Sequence, residues 1–473
     1  MPKRVIVIGG GITGLSAAHR LHEISRDKNL NLEILLLEKS DRTGGVISTV
    51  EKDSFIVEEG PDSFITTKPW GLNLCSRLGL DGELVETRSD KRRTFILHKG
   101  ELVPLPDGFI MLAPTKILPF LTSPLFSWHG KLRMLLDLVI PKKNPGDESL
   151  ASFVRRRLGS EALVRVAQPM ISGVYTADPE RLSLRATMPQ FLELEEKYGS
   201  VIKGMYRSYR ERKKAGTPDS GARYSLFVSF RRGMSTLVDA LKRALPEGCI
   251  RTGVTVRSIA ETHDGWSVAT DAGEKDASGV IVTTPAYISA GLIENAAKPC
   301  AAVLKEIEYA SSAVAIFAYR KEDIENKLDG FGFVVPTVEK SSMIACSFSS
   351  EKFPGRAPEG CTVLRVFFGG AINHENYGME DPAIRSEVER ELGSILGIKS
   401  EPLFTIIKRY PHAMPQYHVG HSELVEKIQR EMKKLRGLEL AGNAFEGVGI
   451  PDCINSGEKA SERLLQSLYE GDF

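Results

Sequence analysis

One short motif near the amino end constrains the fold of this chain more than any other feature. The apolar run 5–8 leads into glycines at positions 9, 11 and 14, with G-x-G-x-x-G spacing, and small residues follow. Such glycines permit a tight turn, a close approach of backbone to pyrophosphate, and close packing of helix on strand. The motif therefore predicts a strand, a phosphate-binding turn and a helix in an α/β dinucleotide-binding domain. The predicted contacts in this turn are Gly9, Gly10, Gly11, Ile12, Thr13 and Gly14.

A carboxylate follows at the distance that a dinucleotide site needs. A second apolar run, 34–37, ends at Glu38, which lies 24 residues after Gly14. An acid near this spacing accepts hydrogen bonds from ribose hydroxyls. Glycine-rich turns also occur simply to pack helices against strands, but the order strand, turn, helix and acid favours cofactor binding.

The residues after Glu38 resemble those of flavoproteins in the amine oxidase and phytoene desaturase superfamily. The shared pattern is Arg42-x-Gly44-Gly45, and it implies FAD rather than a nicotinamide cofactor. Adjacent glycines would let the chain fold back over the cofactor, and Arg42 would face its phosphates. The residue types at 60–64 favour a turn, and this turn would lie against the flavin. The cofactor contacts predicted after the glycine turn are Glu38, Lys39, Arg42, Gly44, Gly45, Val46, Gly60, Pro61, Asp62 and Ser63.

The bulk composition excludes several classes of function. The 473 residues carry 62 basic and 61 acidic side chains, so no nucleic acid partner is predicted. Six cysteines are scattered without C-x-x-C spacing, and His412, His418 and His421 lack metal-ligand spacing. The predicted strand begins after four residues, with no targeting segment before it, so we expect a cytoplasmic protein.

One apolar stretch, 109–141, leaves two interpretations open. Prolines and charges interrupt it before it reaches the roughly 18 apolar residues that span a bilayer. It could form the core of a helical subdomain or the rim of an apolar cavity. It could also dock on a membrane surface, with Lys116, Lys131 and Arg133 near the lipid headgroups.

The order of patterns along the chain predicts an α/β protein with a Rossmann-like FAD-binding domain assembled from three segments. Val254 is expected to begin a strand, and the polar run 209–221 is expected to be a surface connection. A helix should begin near Asp452, as its N-cap, and run to about Leu468. The predicted boundaries are 1–88, 223–294 and 408–473 for the FAD-binding domain, 89–107 and 295–407 for a mixed α+β substrate domain, and 108–222 for a helical insertion.

Several blocks together closely resemble the oxygen-dependent protoporphyrinogen/coproporphyrinogen oxidases. They are F-E-G-V-G-I-P-D-C-I-N-S-G at 445–457, M-P-Q-Y-H-V-G-H at 414–421, and shorter matches at 172–175 and 330–336. The G-I-P form is most similar to the Gram-positive type, which is associated with coproporphyrinogen III. The family passes six electrons from a porphyrinogen, pairwise, to FAD and on to dioxygen, releasing hydrogen peroxide. Because hydride transfer from a meso carbon demands little acid–base chemistry, no catalytic side chain is predicted.

The resemblance implies further site residues. Val254 would meet the adenine through its backbone, Tyr410 would lie against the cofactor, and Lys68 would face a propionate. For Lys68 the competing interpretation is an ordinary exposed lysine, and for the apolar positions it is core packing. Phe367 stands where relatives can carry tyrosine or methionine, which argues against a phenol-based role. The remaining implied positions are Val448, Gly449 and Ile450 at the cofactor, and Val174, Tyr175, Phe331, Val334 and Phe367 around the substrate.

The leading hypothesis is a coproporphyrinogen III oxidase of haem biosynthesis, with protoporphyrinogen IX as the nearest rival substrate. Three competing hypotheses are an amine oxidase, a carotenoid desaturase and a flavin-binding scaffold without turnover. The implied partners are the porphyrinogen and dioxygen, with a transient ferrochelatase contact and a peripheral contact with the inner face of the membrane as further candidates.

Overall fold

A computed structural model describes residues 2–110, 113–143, 146–214 and 226–469. At its centre lies a parallel sheet of five strands. Its central positions, 5–8 and 280–282, are apolar and buried because parallel sheets are covered on both faces. The α/β, Rossmann-like fold predicted from the glycine motif is confirmed. The strands are β1 Lys3–Ile8, β2 Leu32–Leu37, β3 Ile250–Arg251, β4 Gly279–Val282 and β5 Leu438–Leu440. Their spatial order is β3-β2-β1-β4-β5, so β1 is hydrogen-bonded on both sides.

Two helices lie side by side against this sheet. The first helix, Ile12–Asp27, contacts the terminal helix, Ile450–Leu468. A Cβ at Gly457 would lie 2.3 Å from the carbonyl oxygen of Thr13, and four residues further on Ser461 Oγ donates to Ala17 O at 2.9 Å. Since the contacts advance in the same direction along both helices, the helices are parallel. Both amino termini therefore open at the carboxyl end of the sheet.

A second, seven-stranded sheet is antiparallel except where Gly332–Val334 runs parallel to Thr94–His98. The helix Asp381–Leu396 buries Ile384, Val388 and Leu392 against one face of it. The other face packs against Phe55 and Val57. In spatial order the strands are Phe404–Pro415, Tyr309–Arg320, Cys361–Gly369, Ala345–Phe348, Gly332–Val334, Thr94–His98 and Glu101–Pro104.

The helices between positions 117 and 214 form a helical region. Its core is aromatic and aliphatic, and it also encloses an ion pair: the wholly buried Arg157 donates to Asp137 at 2.5 Å. Such a buried pair requires that every polar group find a partner, and Arg157 also donates to the carbonyl of Gly199. The helices are Ile117–Thr122, Trp128–Leu135, Leu150–Arg157, Ser160–Ala162, Gln168–Tyr175, Leu184–Thr187, Pro189–Tyr198 and Val201–Lys214, with a π-helix at Leu163–Ala167.

The remaining described elements connect these parts. The other helices are Pro69–Arg77, Ser235–Ala244, Ala286–Ile293, Lys298–Leu304, Ser349–Lys352, His374–Tyr377 and His421–Met432. The 3₁₀ turns are Asp81–Glu83, Ser89–Lys91, Leu136–Leu138, Lys321–Asp323 and Thr337–Glu339. Small sheets pair Thr49–Lys52 with Phe55–Glu58, Phe109–Ile110 with Ala113–Pro114, Phe227–Phe230 with Phe64–Ile65 and Leu84–Glu86, and Gly265–Thr270 with Val256–Thr262 and Gly273–Ala277.

Three boundary predictions were wrong. The strand expected to begin at Val254 begins at Val256, since the Val254 amide donates instead to Glu38 O at 2.9 Å. The terminal helix begins at Ile450 with Gly449 as N-cap, so Asp452 lies in the first turn; a proline beside the N-cap suits this start. The helix that ends at Lys214 includes 209–214 of the run expected to be a surface connection, and 215–221 lie outside the described residues.

The apolar stretch 109–141 divides its side chains between core and surface. Phe120, Phe126 and Met134 are buried, whereas several other apolar side chains are exposed. The headgroup role expected for Lys131 was wrong, because Lys131 is buried and donates to Leu121 O at 2.6 Å. Arg133 instead donates to carbonyls at the end of the helix Leu150–Arg157. Among the described residues, no helix combines the length and the hydrophobicity needed to cross a bilayer.

Candidate functional site

The glycine turn, Gly9–Gly14, joins β1 to the first helix. A Cβ on Gly14 would lie 1.9 Å from the carbonyl oxygen of Gly9, and Gly9 itself has a φ of +105°. Both positions therefore exclude side chains for reasons internal to the fold. Gly11 differs, because a Cβ there would meet no atom within 4 Å. The space beside Gly11 is open, as a cradle for a ligand requires.

Glu38 and the double glycine lie directly over this turn. Glu38 Oε2 accepts from the Gly10 amide at 2.6 Å. The Gly44 amide donates to Gly10 O at 2.8 Å, and Gly11 bridges to Gly44, so the chain does fold back over the turn. The guanidinium of Arg42 donates to Gly45 O at 2.8 Å and to two other carbonyls of its own loop. Arg42 therefore braces the loop, and its expected phosphate contact stays a prediction. Lys39 and Val46 are exposed beside it.

We call the region bounded by this turn, the loop 60–63 and Phe367 the cleft. Two helix amino termini open at its end beside the turn. Gly11 is the N-cap of the first helix and Gly449 that of the terminal helix, and neither end has a side-chain capping hydrogen bond. The first residues of these helices are buried: Ile12 and Thr13 in the first helix, and Ile450 in the terminal helix. Uncapped helix amides and the open space at Gly11 suit a pyrophosphate, and Glu38 stands where a ribose would follow. The residues present therefore fit a dinucleotide cofactor.

The carboxyl-terminal loop, Phe445–Gly449, is held in place by Tyr417. The buried Tyr417 hydroxyl donates to Asn443 O at 2.5 Å and accepts from the Gly447 amide at 2.9 Å. Its ring stacks on His421 with 3.9 Å between centroids. Burial lowers the pKa of His421 to about 4, so the imidazole is neutral near pH 7. Sequence reasoning noted the P-Q-Y block that contains Tyr417 but assigned this side chain no role.

The loop 60–63 forms another wall of the cleft. A Cβ at Gly60 would lie 1.8 Å from Val46 O, and the half-buried Pro61 follows. Asp62 lies 3.0 Å from Lys352 Nζ and 3.4 Å from Arg365 Nη1. Burial alone would raise the pKa of Asp62, but these cations and the Ser63 hydroxyl hold it well below its usual range. Arg365 also donates to Gly60 O. Asp62 therefore fastens this loop to the seven-stranded sheet.

The sheet face under this loop brings predicted cofactor and substrate residues together. Val334 pairs with Ala345, which pairs with Phe367, so these three residues share one face. Tyr410 is on the same face because it pairs with Ser312, two residues from the partner of Phe367. The Tyr410 hydroxyl is buried and has no hydrogen-bond partner among the described residues, and burial raises the pKa of Tyr410 to about 12. A neutral phenol therefore faces the Gly60 loop.

The mouth of the cleft contains the remaining predicted residues. Lys68 Nζ lies 2.6 Å from Asp452 Oδ1, so this lysine is already paired. Tyr175 packs with Val334 and Val448 against the core of the helical region. Val174 is 56% exposed, as a residue facing open space would be. For Phe331 the structure records backbone bonds to Arg93 and Phe348, and its predicted substrate contact stays a prediction.

Sequence reasoning missed the charged residues that support the site. Arg365 interrupts the apolar strand 361–369, and a lone cation in such a run is a signal that could have identified it. Lys352 has no comparable signal, because it lies in a short polar helix. The assembled cleft offers amides and an acid at one end, and an apolar face with neutral aromatics at the other. Such an arrangement can hold a flat apolar substrate against a redox cofactor without acid–base catalysis.

Comparison with known proteins gives consistent results. Residues 12–465 match the family described as flavin containing amine oxidoreductase. The chain is similar to the coproporphyrinogen III oxidase of Bacillus subtilis strain 168, with 35% identity over 470 residues and 99% of each chain covered. It is also 35% identical over 477 residues to the coproporphyrinogen III oxidase of Staphylococcus aureus strain NCTC 8325, covering 99% of this chain and 100% of the relative. A crystal structure of a candidate protoporphyrinogen oxidase from Exiguobacterium sp. 255-15 superposes with a TM-score of 0.86 at 30% identity, covering 98% of this chain and 99% of that one.

Proposed function

Because the chain belongs to the flavin-containing amine oxidoreductase family and has FAD as its cofactor, we propose that it oxidises coproporphyrinogen III to coproporphyrin III in haem biosynthesis. The observation that carries the proposal is full-length similarity to two coproporphyrinogen III oxidases. Six electrons and six protons leave the macrocycle in three rounds, and each round reduces one dioxygen to hydrogen peroxide. When bound, FAD accepts a hydride equivalent and passes the electrons to dioxygen.

The residues of the cleft have distinct proposed tasks. The glycine turn and the amino terminus of the terminal helix bind the anionic part of the cofactor through backbone amides, and Glu38 binds a ribose. Val254, Tyr410 and the loop 60–63 complete the cofactor site. Val334, Phe367 and Tyr175 form an apolar wall for the macrocycle, while Lys68 attracts one of its carboxylates. The apolar walls exclude water from the reacting carbon.

An assay with purified, flavin-loaded protein tests this proposal. Coproporphyrinogen III in air should yield porphyrin fluorescence, with about three peroxide molecules per porphyrin. The matched control is autoxidation of the same porphyrinogen without protein. Flavin-loaded protein that produces neither porphyrin nor peroxide above that control would rule the proposal out.

Protoporphyrinogen IX is the rival substrate, and the similarity to a candidate protoporphyrinogen oxidase favours testing it. Coproporphyrinogen carries four propionates where protoporphyrinogen carries two. We therefore expect the higher kcat/KM with coproporphyrinogen III, and a larger loss for that substrate in Lys68→Ala. A Lys68→Ala variant that leaves both kcat/KM values unchanged would remove Lys68 from the substrate site.

We also propose a cytoplasmic location with peripheral contact to the inner face of the membrane. Support comes from a run of exposed apolar side chains in the stretch 109–141: Leu118, Trp128, Leu132, Leu136, Leu138 and Val139. A transient contact with a ferrochelatase would hand over the porphyrin product. Leu132→Asp should reduce co-sedimentation with vesicles, whereas Leu403→Asp, at another exposed leucine, should not. Equal sedimentation of both variants and the parent chain would contradict the membrane contact.

A further inference from the structure

The pairing of Lys68 with Asp452 joins two parts of the chain that are 384 positions apart. Lys68 is the N-cap residue of the helix Pro69–Arg77, and Asp452 lies in the first turn of the terminal helix. The Lys68 side chain is 43% exposed and that of Asp452 only 9%. The ion pair at the mouth of the cleft therefore joins a partly exposed lysine to a buried carboxylate.

The carboxylate is the fixed partner because glycines enclose it. A Cβ at Gly447 would lie 2.4 Å from Asp452 Cγ, and a Cβ at Gly449 would lie 3.1 Å from Asp452 Oδ2. An acid in the first turn of a helix is also stabilised by the helix dipole. Lys68, in contrast, reaches Asp452 through a flexible four-carbon stem. When the pair separates, the lysine moves and the aspartate stays.

Asp452 also acts on the wall of the cleft. Burial raises the pKa of the Tyr175 phenol to about 12, and the charge of Asp452 contributes to the shift. Tyr175 packs beside Val334, on the side predicted for the substrate. The negative charge of Asp452 is therefore felt where a macrocycle and its carboxylates would lie.

We propose that Asp452 is a specificity-determining residue that competes with a substrate carboxylate for the Lys68 ammonium. The inference rests on the proposed function for its assignment of Lys68. An unpaired lysine would hold the carboxylates of substrate and product equally tightly. With Asp452 as an internal competitor, the lysine binds a carboxylate weakly enough to release it, because Asp452 takes the ammonium back as the product leaves.

The test is a double-mutant cycle with non-reacting porphyrins at equilibrium, read from quenching of the bound flavin. Asp452→Asn keeps an oxygen acceptor for Lys68 but removes the charge. Coproporphyrin III should bind to Asp452→Asn about tenfold more tightly than to the parent chain. It should bind to Lys68→Met about tenfold more weakly than to the parent chain. In the Lys68→Met background, Asp452→Asn should change the affinity by less than about twofold, since the two residues act as a pair.

Two controls separate charge from folding. Glu33→Gln removes the same charge from a Glu33–Arg4 pair at the amino ends of β1 and β2, and it should leave porphyrin affinity unchanged. The tetramethyl ester of coproporphyrin carries no carboxylate, so its affinity should be the same for the parent chain and Asp452→Asn. Flavin content and thermal midpoint verify that each variant is folded.

The outcomes distinguish this inference from the proposed function. If neither porphyrin quenches the flavin of the parent chain and no porphyrinogen is oxidised, the proposed function fails. If the parent chain binds and turns over but Asp452→Asn binds coproporphyrin III equally or more weakly, only the competitor role of Asp452 is overturned. Additive effects in the double variant would overturn it as well.

Discussion

The two ends of the cleft are built from different parts of the chain. At the cofactor end the contacts are made by backbone, and a single Cβ on Gly14 or Gly60 would lie 1.9 or 1.8 Å from a carbonyl oxygen. At the mouth they are made by side chains, where the buried Asp452 meets Lys68 and Tyr175, which retain some exposure. Backbone contacts leave no room for substitution, whereas side-chain contacts can be tuned. Changes at the cofactor end should therefore cost folding, and changes at the mouth should alter affinity.

The sharpest test of this contrast lies within the glycine turn. Gly14→Ala forces a Cβ into Gly9 O and should destabilise the cofactor-free protein by roughly 3 kcal/mol. Gly11→Ala has a permitted φ of −70° and open space, so the cofactor-free stability should change by less than about 0.5 kcal/mol. The cradle would nevertheless be filled, and FAD affinity should fall about a hundredfold.

Urea unfolding without flavin, followed by flavin titration, separates these two effects. Equal loss of cofactor-free stability in both variants would show that Gly11 also serves packing. Unchanged FAD affinity in Gly11→Ala would show that the open space is not the cofactor cradle.

A second test concerns the loop that fastens the cofactor end to the sheet. Asp62→Asn leaves Lys352 and the buried Arg365 without their partly buried counter-ion and should reduce the free energy of unfolding by roughly 3 kcal/mol. Asp381→Asn removes an exposed partner of Arg409 and should cost less than about 1 kcal/mol. Comparable losses in the two variants would show that the Asp62 cluster contributes no more than a surface pair.

The stability that Asp62 contributes should depend on pH. The folded-state pKa of Asp62 lies below the unfolded value of about 4, so its contribution is fully present above pH 4 and is lost as the pH falls below it. The difference in stability between the parent chain and Asp62→Asn should therefore be constant from pH 7 to about pH 5 and should shrink below about pH 4. A difference that grows on acidification would contradict this assignment.

A smaller effect is expected where one side chain supports the backbone of the carboxyl-terminal loop. Tyr417→Phe removes the hydroxyl that joins Asn443 O to the Gly447 amide and should cost roughly 2 kcal/mol. FAD should also dissociate faster, because the loop 445–449 loses its anchor. Tyr206→Phe, at an exposed tyrosine, is the matched control and should change stability by less than about 0.5 kcal/mol. Stopped-flow release of the flavin and urea unfolding give the two readouts; a flavin release rate like that of the parent chain would exclude the anchoring role.

The substitutions at Lys68 and Asp452 should have the smallest effects on stability among these variants. They should change affinity for carboxylated porphyrins about tenfold while leaving stability nearly constant. A large loss of stability in Asp452→Asn would instead assign this residue to the backbone-built end.

Local patterns were enough to predict the parts of the molecule whose chemistry depends on short stretches of chain. The strand and glycine turn at 5–14 were predicted because the apolar pattern and the steric limit between Gly14 and Gly9 O lie within that stretch. Boundaries failed where a distant partner decided them: Val254 bonds to Glu38, from another segment, and joins no strand there.

The sequence by itself determined the α/β fold and, through the resemblance of its motifs, the FAD cofactor. Only the tertiary structure showed that Lys68 meets Asp452, that Asp62 lies between Lys352 and Arg365, and that Tyr417 holds Gly447. The physical reason is that the steric limits of a glycine turn are set by neighbours along the chain. Ion pairs and side-chain anchors depend on which distant segments packing brings together, and no spacing along the chain encodes those distances.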